Sequence, residues 1–401
     1  MPEQPLSDIR ILDLTWYISG PYCTKLFADY GADVIKVERP GCGDPARGMG
    51  PFFQDDPHPE KSGLFLYLNT NKKGITLNLK SETGKAAFKE LVKDVHLLVE
   101  NFSPRVMPGL GLDYDTLAGI NPRLVMTSIT NFGQTGPYRD FKASELIVQA
   151  MGGAMCSTGV GECEPVKKGM HVAQFQGGTV AAAASMIAVF GALAQGTGQQ
   201  VDVSLMETQM GGVDRRMSEM LAFEYNKELT PRMDIAGLLQ YPYGIFPCKD
   251  GYVDVAGGYM FLDRLEKVLE MSLMEQYGGV NQFVPDRREE FLGTIWYPWI
   301  MERTRSEIVE LCQKHRVFSA PINTTEDLLR EPQFREREFW AEVEHPVVGK
   351  LTYPGRPALS SGLPWSLKSP APTLGQHNSE VYSRLGYTKA DLTKLREGGV
   401  I

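Results

Sequence analysis

The stretch Ile9 to Thr15 (Ile-Arg-Ile-Leu-Asp-Leu-Thr) is short and mostly apolar, and Ser19-Gly20-Pro21 closes it. It reads as a buried strand. Tyr22 to Tyr30 then has helical spacing and stops at Gly31, and Asp33 to Glu38 forms a second strand ended by Arg39-Pro40-Gly41. Strand, helix and strand in about thirty residues predict a βαβ unit with parallel strands and a right-handed crossover. Ligands of such sheets gather at the carboxyl ends of the strands, which here means around Trp16, Gly20 and Arg39.

The alternation continues. Ile75 to Leu79 alternates, Glu82 to Val92 has a helical period, and His96 to Val99 and Leu124 to Ile129 are short apolar runs. This regularity through residue 200 predicts an α/β fold around a parallel sheet. Lys72 and Lys73 fall on a turn; such a pair can hold a phosphate, but spacing alone favours a solvated hairpin. Thr179 to Leu193 is apolar nearly all round and lacks a strand's alternation. At about 15 residues it predicts a buried helix too short to span a bilayer. Gln174, in Gly169-Met170-His171-Val172-Ala173-Gln174-Phe175-Gln176-Gly177-Gly178, is expected just before that helix, held over a pocket.

Residues 1–205 are thus the first part of a large domain, and 206–225 are expected to form a linker helix. From 226 to 325 the chain turns aromatic and proline-rich, with short alternating runs such as Gly251 to Val255, and predicts a smaller α+β domain. Residues 326–401 are loop-rich and proline-containing up to Gly386, then end in a helix from Lys389 to Glu397. They are expected to string back and complete the large domain.

Composition narrows the function. A net charge of −8, with no long basic run, gives no reason to expect nucleic-acid or membrane-surface binding. No signal-peptide pattern and no 18-residue apolar span is read, so a cytoplasmic location is the expectation. The six cysteines include no C-x-x-C pair and the six histidines no H-E-x-x-H, so neither a metal site nor disulfides are expected. The cysteines are read as reduced, buried residues. The first strand is followed by Thr15-Trp16-Tyr17-Ile18-Ser19-Gly20-Pro21 rather than G-x-G-x-x-G, which argues against a hydride-transferring dehydrogenase.

A longer set of ordered motifs resembles a known family. Asp13-Leu14-Thr15, Ser19-Gly20-Pro21, Ala28 to Pro40 and Gly43-Asp44-Pro45-Ala46-Arg47 resemble the start of family III CoA-transferases. Asn69-Thr70-Asn71-Lys72, Glu100-Asn101-Phe102, Asn121-Pro122-Arg123, Gly133 to Pro137, Thr197-Gly198-Gln199 and Leu374 to His377 continue the likeness over essentially the whole chain. The resemblance implies a Rossmann-like large domain built from both chain ends, an inserted small domain, and an interlocked dimer. It implies CoA thioesters as substrates, no covalently bound cofactor, and a CoA pocket using Ile18, Ser19, Arg39, Asn71, Lys72, Asn101, Arg105 and Lys142. It also implies an aspartate nucleophile that attacks the acyl-CoA thioester.

That aspartate position falls on Gln174, counted forward from Glu100-Asn101-Phe102 or back from Gly177-Gly178. An uncharged amide cannot form the anhydride. No Asp lies between Asp140 and Asp202, so realignment supplies none. A phosphate-binding arginine of many members corresponds to Gly109, with Arg105 nearby as a substitute. The resemblance with these departures implies a non-catalytic subunit of a heteromeric transferase, completed by a paralogous subunit that keeps the aspartate. CoA is then expected to bind the partner rather than the isolated chain. Three alternatives stand beside it: a self-sufficient homodimer using Glu145 as nucleophile, a non-enzymatic acyl-CoA-binding protein, and, least favoured, a racemase using His171.

Overall fold

Val34, Ile11, Leu98 and Val125 lie on adjacent strands with almost no exposed surface, which accounts for the near-continuous apolar spelling of those segments. The computed structural model describes residues 4–210, 216–229, 232, 242–257, 261–273 and 289–401. The chain divides into two units. Met1–Thr158, Val166–Thr230 and Arg337–Ile401 form the first, and Gly159–Pro165 with Pro231–Glu336 the second.

The first unit is built on a six-stranded sheet. Its strands are β1 (Arg10–Asp13), β2 (Asp33–Glu38), β3 (Lys72–Thr76), β4 (Leu97–Glu100), β5 (Val125–Thr130) and β6 (Gln200–Ser204). The order is β3-β2-β1-β4-β5-β6 and every pairing is parallel. The order reverses between β1 and β4, where a doubly wound sheet opens a crevice for ligand. Helix α1 (Ser19–Ala28) follows β1, and α2 (Glu82–Val92) follows β3. One apolar cluster, with Phe88, Leu98, Met126 and Tyr382, and another, with Phe27, Val99, Val148 and Val189, are the larger cores of this unit, and a smaller one joins Phe65 and Leu66 to Tyr353.

The chain's end is stitched to β3. Asn378 accepts from the Thr76 amide at 2.8 Å and donates to its hydroxyl at 2.8 Å, and the Tyr382 hydroxyl donates to the Thr76 carbonyl at 2.7 Å. The hairpin β10 (Trp340–His345) and β11 (Gly349–Pro354) belongs to the same return segment.

Several expectations are corrected. Lys72 and Lys73 lie on β3, a parallel strand in the sheet, not on a solvated hairpin. The apolar helix is longer than read: α4 runs Val172–Gln195, 24 residues, and follows the short α3 (Glu145–Met151). Gln174 is therefore inside its first turn. By length and composition α4 can cross a membrane, so the expectation that no such span exists fails. Nor is it buried all round: Ile187 (73 %), Phe190 (71 %) and Leu193 (56 %) are exposed. The expected linker helix is broken into Leu205–Thr208 and Arg216–Asn226, and residues 211–215 lie outside the described residues. The six cysteines are free, but Cys42, Cys156 and Cys163 are exposed rather than buried.

The second unit has an antiparallel sheet in the order β7 (Tyr243–Cys248), β8 (Gly251–Ala256), β9 (Phe318–Pro321). Its core joins Phe246, Val253 and Val255 to Leu265, Trp296 and Ile308 from helices. It takes in Gly159–Pro165 and extends to Glu336, wider than the 226–325 read from composition; of that range, 230–231, 233–241, 258–260 and 274–288 lie outside the described residues.

Candidate active site

The chain leaving β1 is tied to the chain leaving β4. The Asn101 side chain accepts from the Trp16 amide and donates to the Trp16 carbonyl, both at 2.8 Å. The Trp16 ring meets Phe102 edge-on at 5.1 Å, and the Arg39 guanidinium lies 5.1 Å from the Trp16 ring centre. Tyr17 holds φ 64° and donates its amide to Asp44. Between these loops is a cavity of about 700 Å³, lined by Trp16, Tyr17, Arg39, Cys42, Asn78, Lys80, Asn101 and Phe102 among others. Aromatic faces with two cations suit a flat heteroaromatic ring carrying phosphate.

A buried ionic lattice fixes these loops. Asp13 accepts from Lys72 Nζ (2.9 Å), Thr24 Oγ1 (2.6 Å) and the Thr15 amide and hydroxyl (2.9 and 2.5 Å). Lys36 pairs with Asp44 at 2.9 Å and donates to the Thr15 carbonyl; Arg47 pairs with Glu38 and Glu60 and lies 3.7 Å from the Phe65 ring centre. Burial alone pushes the Asp13 carboxyl up, but Lys72, Lys36 and the two threonines outweigh it and hold it at about 2. For Lys72 burial wins, and its ammonium falls to about 8 despite Asp13. Burial also opposes the charge on Lys36, but Asp44, Asp13 and Glu38 raise it above the usual lysine value.

The expected CoA-binding residues separate into groups. Arg39 and Asn101 line the large cavity. Asn101 also lines a second cavity of about 310 Å³ with Arg105, Thr130, Arg139 and Lys142. There Arg105, well exposed, forks onto Asp140 at 2.9 and 2.6 Å. Ile18 and Ser19 are buried at the start of α1. Asn71 and Lys72 line neither of these cavities. Lys72 donates to Asp13, the Pro21 carbonyl and Asn69, each at 2.9 Å, which uses all three of its N–H groups. Asn71 is spent on the return segment: it donates to Asp29 and the Ser366 carbonyl and accepts from the Lys368 and Ser369 amides. The basic residue that sequence reading missed is Lys80, one residue past the alternating Ile75 to Leu79 run, where it reads as a solvated strand end.

Gln174 is half-buried in the first turn of α4. Glu145 supplies the cap of that helix: its Oε1 accepts from the Ala173 amide at 2.8 Å and its Oε2 from the Gln174 amide at 3.2 Å, with Gln149 donating to Oε1 at 2.6 Å. A carboxylate there satisfies free amides and meets the positive end of the helix. Gly177 and Gly178 mark a close approach of backbones: a Cβ at 178 would lie 2.5 Å from the Ser19 carbonyl oxygen of α1. Among the described residues no group of three histidine, cysteine, aspartate or glutamate side chains forms a metal-ligand set.

The family model for CoA-transferase family III matches residues 6–378. The chain belongs to CoA-transferase family III. It is 32% identical over 418 aligned positions to the BbsE subunit of succinyl-CoA:(R)-benzylsuccinate CoA-transferase from Thauera aromatica, covering 99% of this chain and 98% of that protein. The succinyl-CoA–D-citramalate CoA-transferase of Chloroflexus aurantiacus is 31% identical, with 100% and 99% covered. Among solved structures, a CAIB/BAIF family protein from Brucella suis superposes with a TM-score of 0.84 at 28% identity, covering 96% of this chain and 100% of that one. The family III transferases act on CoA thioesters.

Proposed function

We propose that this chain is the supporting subunit of a heteromeric CoA-transferase that moves CoA from succinyl-CoA to an organic acid such as (R)-2-benzylsuccinate in the cytoplasm. One observation carries the reading: Gln174 stands in the first turn of α4, where the family resemblance puts the aspartate nucleophile. The aspartate is supplied by a paralogous partner subunit. Its carboxylate attacks the succinyl thioester carbon and expels CoA thiolate, leaving a mixed anhydride. The thiolate attacks the aspartyl carbonyl, releasing succinate and forming an aspartyl thioester. The acceptor carboxylate then displaces thiolate to give a second anhydride, and thiolate attack on the acceptor's acyl carbon yields the new acyl-CoA and restores the aspartate.

In this chain the amide of Gln174 takes no part in those steps. Glu145 is no substitute, because its two oxygens are engaged by the α4 amides. What the chain retains is the frame: Arg39, Lys80, Trp16 and Asn101 around a cavity suited to the nucleotide half of CoA. This supports CoA binding here as well as in the partner, a revision of the expectation of none. Exposed Ile187, Phe190 and Leu193 on α4 support a partner chain with an apolar surface. Likeness to BbsE supports both the heteromer and the benzylsuccinate acceptor.

The test is transfer from succinyl-CoA measured with the chain alone, with its paralogous partner, and with the Gln174→Asp variant alone. Activity is expected only when the partner is present or the carboxylate is restored. Robust turnover by the unaltered chain alone would overturn the reading.

A further inference from the structure

Glu100 ends β4 beside the crevice, and 3 % of its surface is exposed. Its Oε2 accepts the Phe102 amide at 2.8 Å. The next residue, Asn101, is the one that clamps Trp16, and Phe102 is the ring against which Trp16 rests. A single carboxyl group therefore anchors the turn from which one wall of the large cavity is hung, without reaching the cavity itself.

Behind it lies a different space, a polar cavity of about 220 Å³. Glu100 is paired in register with Ser128 on β5, which is paired with Asp202 on β6. The charged and titratable groups around the carboxyl are Asp113, Tyr114, Asp115 and Arg139 at this cavity, with Asp202 across the sheet. These acidic neighbours outnumber Arg139, and the cavity is roomy enough for water to carry protons in.

We propose that Glu100 is the positioning residue of the nucleotide cavity: ionised, it holds the Phe102–Asn101 turn and so the Trp16 wall in place, and proton uptake from the small cavity loosens that wall and weakens CoA binding. The inference rests on the reading of the large cavity as the CoA site. Burial, opposed by Ser128 and the Phe102 amide and reinforced by Asp202, raises the carboxyl to about 7, so the change falls near neutrality. Below that value the Phe102 amide bonds to a neutral carboxylic acid; above it, to a carboxylate, which is about twice as strong an acceptor. The difference is worth roughly a fivefold change in affinity.

The experiment measures dephospho-CoA binding by calorimetry from about pH 5.5 to 8.5. That ligand lacks the 3′-phosphate, whose own titration would otherwise intrude. The expected result is affinity that rises with pH in one step near neutrality, and a Glu100→Gln variant that stays at the low-pH level throughout. Ser128→Ala, which removes a hydroxyl favouring the charged form, is expected to move the step to higher pH and gives a second route should Glu100→Gln fold poorly. Binding with no step, or a step unchanged in these variants, overturns the role of Glu100 alone. No binding at any pH overturns the CoA-site reading and the inference with it.

Discussion

Replacing Asp13 by asparagine should unfold the first unit far more readily than its small change in shape suggests. The Asp13 carboxylate is fully buried, takes four hydrogen bonds and neutralises Lys72, whose side chain has no exposed surface. The substituted side chain would keep one acceptor oxygen, lose the charge, and point an amide at an ammonium whose carboxylate partner, now 2.9 Å away, is gone. Removing one member of a buried pair typically costs about 3–5 kcal/mol. The pH dependence gives an independent figure. The carboxyl is lowered from 3.8 to about 2, so Asp13 adds stability that is complete above the unfolded value and lost as pH falls from 3.8 toward 2. That shift corresponds to about 2 kcal/mol, of which the cost of burying Lys72 returns a part. Urea unfolding at neutral pH should therefore show a loss of several kcal/mol for Asp13→Asn and a flatter acid limb. The double variant Asp13→Asn with Lys72→Met should recover much of the loss. The reasoning fails if Asp13→Asn lies within about 1 kcal/mol of the parent, or if the double variant is no more stable than the single one.

Other outcomes follow from the same geometry. Gly178→Ala puts a methyl group against the Ser19 carbonyl and should cost about 1–3 kcal/mol by thermal unfolding, through separation of α1 from α4. Glu145→Ala removes the cap of α4 and should lower stability by about 1–2 kcal/mol while leaving transfer by the proposed heteromer largely intact; abolished turnover in a folded assembly would revive Glu145 as a nucleophile. Arg39→Ala and Lys80→Ala should each weaken CoA binding about tenfold at low ionic strength, with the gap closing as salt is added, as calorimetry would read. Above neutral pH, Glu100→Gln should unfold at higher urea than the parent. A carboxyl raised from 4.5 to about 7 stays protonated in the fold where the unfolded chain has already lost the proton, so stability falls as pH rises from 4.5 toward 7 and the full penalty stands above that value.

Where the sequence was legible, the ends of elements carried local signals. Strand β2 and helix α2 were read at their observed limits, and so was the last helix, Lys389–Glu397. Ser81 caps α2 through the Gly84 amide, and Thr388 with Asp391 forms a capping box. Where it misled, the deciding partner was remote. Gly177-Gly178 look like a break in a helix, yet they sit inside α4 because α1 needs the room. Lys72 looks like part of a solvated hairpin, because nothing local announces that Asp13, 59 positions earlier, will take its charge. Lys80 was passed over for the opposite reason: its neighbours spell an ordinary strand end, and only the fold brings it to Arg39's cavity.

The lattice of Asp13, Lys36, Glu38, Asp44, Arg47 and Lys72 has a bearing on how such chains are recognised. Part of the spelling that marks the lineage is these interior ions, whose removal would wreck folding whether or not any thioester is ever cleaved. Selection for an intact body is enough to preserve that spelling. A signature of this kind certifies ancestry and architecture. Competence has to be judged elsewhere, at the one side chain where a reacting carbon would be met.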